Sequence, residues 1–276
     1  MYTTIDIEAY KKHLGLPEDY SIDGLLCSGT WDLYADSRHI PYLKKAFEIL
    51  NIEPELNRIE GEELGHAFEI KFNNKRYWFV PVMGTAVMSQ YAHVASMLGS
   101  KKNILIGVVG GLKPGIKPAD FIIPTASKGN ENALMYQRSN LDLLFYPDKE
   151  LTTRLKQRLG DTKVYEGTTN TCEVMFAETP EDIKEWSSQG YLGVEMEAAM
   201  MFALSNYFKI PSASILFVAD NLIENITMID SAHQDSKKQR LVAQHLKYSA
   251  ALAELLDLEM KVVPTQSLRL NSLRPK

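Results

Sequence analysis

Cysteine is scarce: the chain has two, Cys27 and Cys172, in 276 residues. Two thiols cannot build a disulfide framework, and the scarcity suits a reducing compartment with both sulfurs buried. Long apolar runs are also missing. The longest, such as Ile210 to Ala219, fall far short of the ~20 residues a bilayer span requires. Met1 to Asp6 carries neither a basic region nor an apolar core, so no secretory leader is expected, and a cytoplasmic, membrane-free protein follows. There is no excess of positive charge either. The formal charge is −5 and no basic stripe stands out, which argues against nucleic acid as a partner. Internal repeats, low-complexity tracts and linkers are absent. No His/Cys cluster has ligand spacing, His233 and His245 being isolated, so no metal is expected. Neither a Walker loop nor a nucleophile elbow occurs.

What is present is an alternation of apolar strands and amphipathic helices. Short apolar runs at 24–28, 103–111, 120–127, 163–168 and 214–219 read as strands, and 68–72 with 77–83 as a hairpin turning at Asn73-Asn74. Helical spacing covers 37–50, 84–98, 148–159, 197–208 and a long segment at 231–258. A short surface helix is expected at 5–14, and another follows Thr179 as N-cap with Pro180 at the first helical position. The alternation predicts an α/β fold: one domain, a three-layer α/β/α sandwich on a mixed, mostly parallel central sheet. Its boundaries are read as 21–260, with an N-terminal extension at 1–20 and a loose basic tail at 261–276.

Several strands end in chemistry-bearing groups: Gly29-Thr30, Gly84-Thr85, Gly110-Gly111, Thr168-Thr169-Asn170, Glu195-Met196-Glu197 and Asp220-Asn221. In α/β sheets the ligand crevice lies beyond the carboxyl ends of the strands. Converged, these ends would offer hydroxyls, amides and carboxylates, an inventory for a sugar and a base rather than a metal. Gly29, Thr30, Gly84 and Thr85 are candidates for an oxyanion. Asp220, after the apolar run Ile215 to Ala219, is expected to be desolvated and raised in pKa, fit for a general acid, or else to cap the next segment. Glu195 and Glu197 stand one Met apart where an apolar strand runs into an apolar helix. They either cap the helix or hold hydroxyls.

Taken together, Val194-Glu195-Met196-Glu197-Ala198-Ala199, the stretch from Gly107 to Pro124 and Phe217-Val218-Ala219-Asp220-Asn221 resemble the nucleoside phosphorylase and nucleosidase superfamily, in its hexameric purine and uridine phosphorylase branch. The resemblance runs from about Leu25 to Leu256. It implies cleavage of the N-glycosidic bond of a purine nucleoside, most directly phosphorolysis to free base and ribose 1-phosphate. Inorganic phosphate would be co-substrate, with no cofactor, and the assembly a dimer or trimer of dimers. By the same resemblance Glu197 holds the ribose 2′- and 3′-hydroxyls and Met196 packs on the sugar. Val109, Gly110, Val194 and Asn221 line the base pocket, with Met175 or Phe176 stacking on the base. Asp220 protonates the departing purine, and Arg240 either assists it or is a solvated helix residue.

The sequence differs from that branch at the phosphate site. The first turn reads Ser28-Gly29-Thr30-Trp31-Asp32 without arginine, and Leu105 and Val108 stand where an Arg and a hydroxyl are expected. Arg38, Arg58, Arg76 or a neighbouring subunit could substitute. The Gln-x-Arg insertion of the uridine branch is also missing, which argues against uracil. Gly167 to Thr171 and Gly110-Gly111-Leu112 are similar to compact AMP nucleosidases, so a nucleoside or nucleotide hydrolase is one alternative. A non-catalytic nucleoside-binding protein is another.

Overall fold

The computed structural model describes residues 6–30, 35–59, 64–227 and 237–259, with the side chains of 35–38 left aside. The turn at Trp31-Asp32, the Arg38 side chain, His233, the start of the long helix at 231–236 and the tail at 261–276 lie outside the described residues.

The central strands are β1 (Gly24–Gly29), β4 (Lys75–Val82), β5 (Asn103–Gly111) and β10 (Ser212–Asn221), which pair in parallel in the order β4-β1-β5-β10. Each is buried on both faces, and the alternation of side chains divides them between two cores. Leu26, Ile104, Ile106 and Phe217 point to one face, Leu25, Cys27 and Leu105 to the other. Helices α2 (Ala35–Leu50), α5 (Lys149–Arg158) and α8 (Lys237–Leu255) cover the first face through Leu43, Phe47, Leu155 and Leu252. Helices α3 (Gly84–Met97) and α7 (Ala198–Tyr207) cover the second through Met88, Ala92, Met201 and Phe202. The short α1 (Ile7–His13) joins this second core with Ile7 and Tyr10. The fold is thus a mixed α/β sheet between two helical layers.

Beyond β4 the sheet continues antiparallel into β3 (Phe68–Phe72) and β2 (Glu55–Arg58). The β3–β4 hairpin turns on Asn73 and Asn74, both at positive φ of 51° and 58°. Asn tolerates that conformation, and two such residues make the turn that matches strand twist. On the other side β6 (Phe121–Lys128) pairs with β10, β8 (Val164–Thr171) with β6, and β9 (Gly193–Glu195) with both β8 and β5. The circuit β5-β10-β6-β8-β9 therefore closes on itself, around Val109, Ile122, Leu192, Leu216 and Val218. This ring brings the ends of β5, β9 and β10 to one place. The two-residue strand β7 (Leu144–Phe145) pairs with β6 at its rim. The helix α4 (Glu131–Leu134) occupies the polar loop after β6, and α6 (Pro180–Ser188) opens on a reciprocal Thr179–Asp182 capping box. No helix among the described residues is long and apolar enough to cross a membrane.

Candidate active site

The strand ends converge on a cavity of about 520 Å³, within the ~300–1,000 Å³ typical of small-molecule sites. One wall is acidic. Glu197 sits between β9 and α7, at 5 % exposure, and its Oε1 accepts from the Gly84 amide at 2.7 Å. It also lies against Gly29, where a Cβ would come within 2.7 Å of its Oε2. Only glycine lets the carboxylate stand there. Burial, and then the charge of Glu195, push Glu197 up to about 8.

Glu195 has a different job. Its Oε2 accepts from the amides of Glu197 (2.7 Å) and Ala198 (2.6 Å), and its Oε1 from Thr171 Oγ1 (2.6 Å) and Ser127 Oγ (3.0 Å). It thereby satisfies the first amides of α7, which Glu197 does not cap. Burial still leaves it above the usual carboxylate range. Glu195→Ala would strand four donors at ~1–3 kcal/mol each, so a loss of stability of at least about 3 kcal/mol is expected. Urea unfolding checks this, and an unchanged midpoint would contradict it.

Asp220 reaches the cavity through a bulge. Val218 pairs with Val109 and Asp220 with Gly110, leaving Ala219 as an extra residue. A bulge re-aims side chains, and here both Ala219 and Asp220 line the cavity. A Cβ on Gly110 would lie 3.2 Å from Asp220 Oδ1, so glycine leaves room for the carboxyl. Burial pushes Asp220 up to about 6. Beside it, Glu178 is pushed up to about 7, first by burial and also by Asp220.

Met196, Val109, Gly110, Met175, Val194, Gly29, Thr30 and Arg240 line the same cavity. The structure places several of the candidates differently. Phe176 is 89 % exposed and turned away from the cavity that Met175 enters, because the 3-10 turn Met175–Ala177 presents the two side chains in different directions. Asn221 is fully buried outside the lining, its amide committed to the Lys113 and Ile116 carbonyls. The Gly84 amide is committed to Glu197 and the Thr85 hydroxyl to Glu173 at 2.7 Å, so neither is an oxyanion donor. The Thr30 amide likewise donates to Val82 O. Of the substitute arginines, Arg76 is held by Glu69 at 3.0 Å and stacks on Tyr20, and Arg58 stacks on Phe68, both away from the cavity. Leu105 is buried in the α3/α7-side core.

Sequence reasoning missed the opposite wall, which α2 and α8 build from His39, Tyr42, Gln244, Lys247 and Tyr248. Sequence offered only the helical spacing of positions 240, 244 and 247, which puts them on one face of the helix without saying what that face meets. Among the described residues no group of three or more His, Cys, Asp or Glu could hold a metal ion.

Residues 46–254 match the model of the phosphorylase superfamily. The chain belongs to that superfamily. Among relatives of this phosphorylase-superfamily chain is the DeoD-type purine nucleoside phosphorylase of Exiguobacterium sibiricum, 27 % identical over 146 residues. Another is that of Clostridium beijerinckii, 29 % identical over 150 residues. Each match covers 51 % of this chain and 61 % of the relative. Uridine phosphorylase from Vibrio fischeri superposes with a TM-score of 0.67 over 86 % of this chain and 95 % of its own, at 16 % identity, a likeness of fold.

Proposed function

We propose that this phosphorylase-superfamily protein cleaves the N-glycosidic bond of a purine nucleoside by phosphorolysis. One observation carries the reading: Glu197, which follows β9, and Asp220, in β10, line one cavity, each beside a glycine that makes room for it. Glu197 would accept from the ribose 2′- and 3′-hydroxyls, with Met196 against the sugar and Met175 against the base. As the C1′–N9 bond breaks, its electron pair passes into the base, and Asp220 delivers its proton to N7. Phosphate oxygen attacks C1′, giving free base and ribose 1-phosphate. The names of the DeoD-type relatives support a purine over a pyrimidine. No cofactor is required by this chemistry. A homo-oligomer, as a dimer or trimer of dimers, is part of the proposal.

A specific feature favours a second reading, hydrolysis. Leu105 is fully buried and Val108 lines the cavity with no hydroxyl to offer. A panel of inosine, adenosine, guanosine, uridine and their 5′-phosphates, run with and without phosphate, separates the two. Phosphate-dependent release of purine with ribose 1-phosphate is the expected result. Phosphate-independent release of free ribose would establish the hydrolase. No release from any substrate, with binding retained, would leave a nucleoside-binding protein.

A further inference from the structure

Lys247 is the most unusual charge in the molecule. It is 1 % exposed, lines the cavity, and its Nζ donates to Gly107 O at 2.8 Å. An ammonium has three protons to donate, and among the described residues no carboxylate pairs with this one. Its other neighbours are aromatic faces, Phe217 at 4.8 Å and Tyr248 at 5.7 Å from the ring centroids. A buried cation without a counter-ion is costly, so a bound anion would stabilise this one. Next to it stands a polar cluster. Tyr248 OH lies 3.1 Å from Ser28 Oγ and 2.6 Å from His39 Nδ1, and Ser28 Oγ lies 3.4 Å from the same nitrogen. Ser28 adjoins Gly29, which touches Glu197. An oxyanion bound here would therefore lie beside the sugar.

We infer that Lys247, with the hydroxyls of Ser28 and Tyr248 and the His39 ring, forms an oxyanion site for a phosphoryl group, taking over from the arginines the chain lacks. The group is either inorganic phosphate or the 5′-phosphate of a nucleotide. This rests on the nucleoside reading above, and it names the cation that reading leaves unassigned. Of the glycine turns nominated from sequence, the Gly84 amide, the Thr85 hydroxyl and the Thr30 amide are engaged by Glu197, Glu173 and Val82.

The site is coupled to protons. Burial holds Lys247 down at about 7, so at pH 8 its amine is mostly neutral until an anion binds. The groups around the cavity are His39 and Tyr42 of α2, Lys237, Arg240 and Tyr248 of α8, and Glu195, Glu197, Asp220 and Glu178 on the acidic wall. None of the acids offsets the burial of Lys247, whose shift has desolvation as its one cause. A phosphate dianion stabilises the ammonium form, and binding draws a proton from solvent onto Nζ.

The test is calorimetric titration of the full chain with inorganic phosphate, and separately with AMP and adenosine, at pH 8 in two buffers of different ionisation heat. The wild type should bind phosphate with uptake of up to one proton. Lys247→Met should weaken phosphate binding at least tenfold and abolish the uptake, with adenosine binding changed less than twofold. Lys247→Arg should bind phosphate without the uptake. If AMP outbinds adenosine tenfold and Lys247→Met removes that advantage, the phosphoryl group is the 5′-phosphate. If AMP and adenosine bind alike, it is inorganic phosphate. Should the methionine variant not fold, Lys247→Arg and the wild-type proton uptake decide. The inference is overturned if neither phosphate nor AMP binds the wild type, if phosphate binds without proton uptake, or if Lys247→Met binds both as the wild type does. Base release that persists while phosphate and AMP ignore Lys247 overturns this site alone. Phosphate held by Lys247 in a protein that cleaves no nucleoside overturns only the catalytic reading.

Discussion

Asp220→Asn is expected to lower kcat for purine nucleosides by about 10²–10⁴-fold, the usual contribution of a positioned general acid, with little change in KM. Asn keeps the volume and can donate a hydrogen bond, but it has no proton to give to the leaving base. The pH profile supplies a sharper readout. Asp220 is held at about 6 by burial, so the protonated form is lost as pH rises past that value. Wild-type kcat/KM should therefore fall on the alkaline side, and the variant should lack that limb. Stability separates this from misfolding. A carboxyl whose folded pKa is raised contributes most to stability below its unfolded value, and that contribution is lost as pH climbs through about 6. The Asn variant escapes the penalty, so its melting temperature at pH 8 should equal or exceed that of the wild type. A variant within threefold of wild-type kcat on every active nucleoside would remove Asp220 from the mechanism.

Glu197→Ala should be comparably severe, through the sugar rather than the base. A carboxylate accepting from two ribose hydroxyls makes two charge-assisted bonds of ~1.5–3 kcal/mol each, so kcat/KM should fall about 10²–10⁴-fold. Selectivity identifies the cause. The wild type should discriminate against 2′-deoxynucleosides, which offer one hydroxyl fewer, and the variant should treat both sugars alike. An equal loss on ribose and deoxyribose substrates would reduce Glu197 to a structural partner of the Gly84 amide. Its pH dependence runs opposite to that of Asp220. Burial and Glu195 hold it at about 8, so sugar binding by the ionised form strengthens as pH rises toward that value. The two limbs together predict a bell-shaped profile with its optimum between about 6 and 8.

How these two acids could be picked from the chain, and Lys247 could not, is a matter of range. Glu195 and Glu197 interrupt an apolar strand-to-helix passage, and Asp220 ends an apolar run, so each conflicts with its immediate neighbours. β5 was legible from end to end because a strand covered on both faces is apolar throughout, and its Gly110-Gly111 end is local too. β2 and β7 were not, since their four and two residues leave no period to detect. Lys247 looks unremarkable on an amphipathic helix. Its meaning comes from Gly107, 140 positions away in the chain.

The same division runs through the site. Gly110 was marked by sequence, but the bulge at Ala219 that turns Asp220 toward it is set by the pairing of β10 with β5. Met175 and Phe176 are adjacent and equally apolar, and only the fold distinguishes the one in the cavity from the one outside it. The roles of Glu195 and Glu197 were ambiguous while both were merely acidic, and were separated by which donors each meets: helix amides and hydroxyls for one, a glycine turn and open cavity for the other. By itself the sequence determined the longer elements, the superfamily and the pair of acids as candidates, because periodicity and local conflict are properties of neighbouring residues. The tertiary structure alone decided the closed ring of strands, which backbone amides remain available, and the cationic wall facing the acids. Those depend on contacts between segments far apart in the chain, where burial turns an ordinary lysine into a charge without a partner.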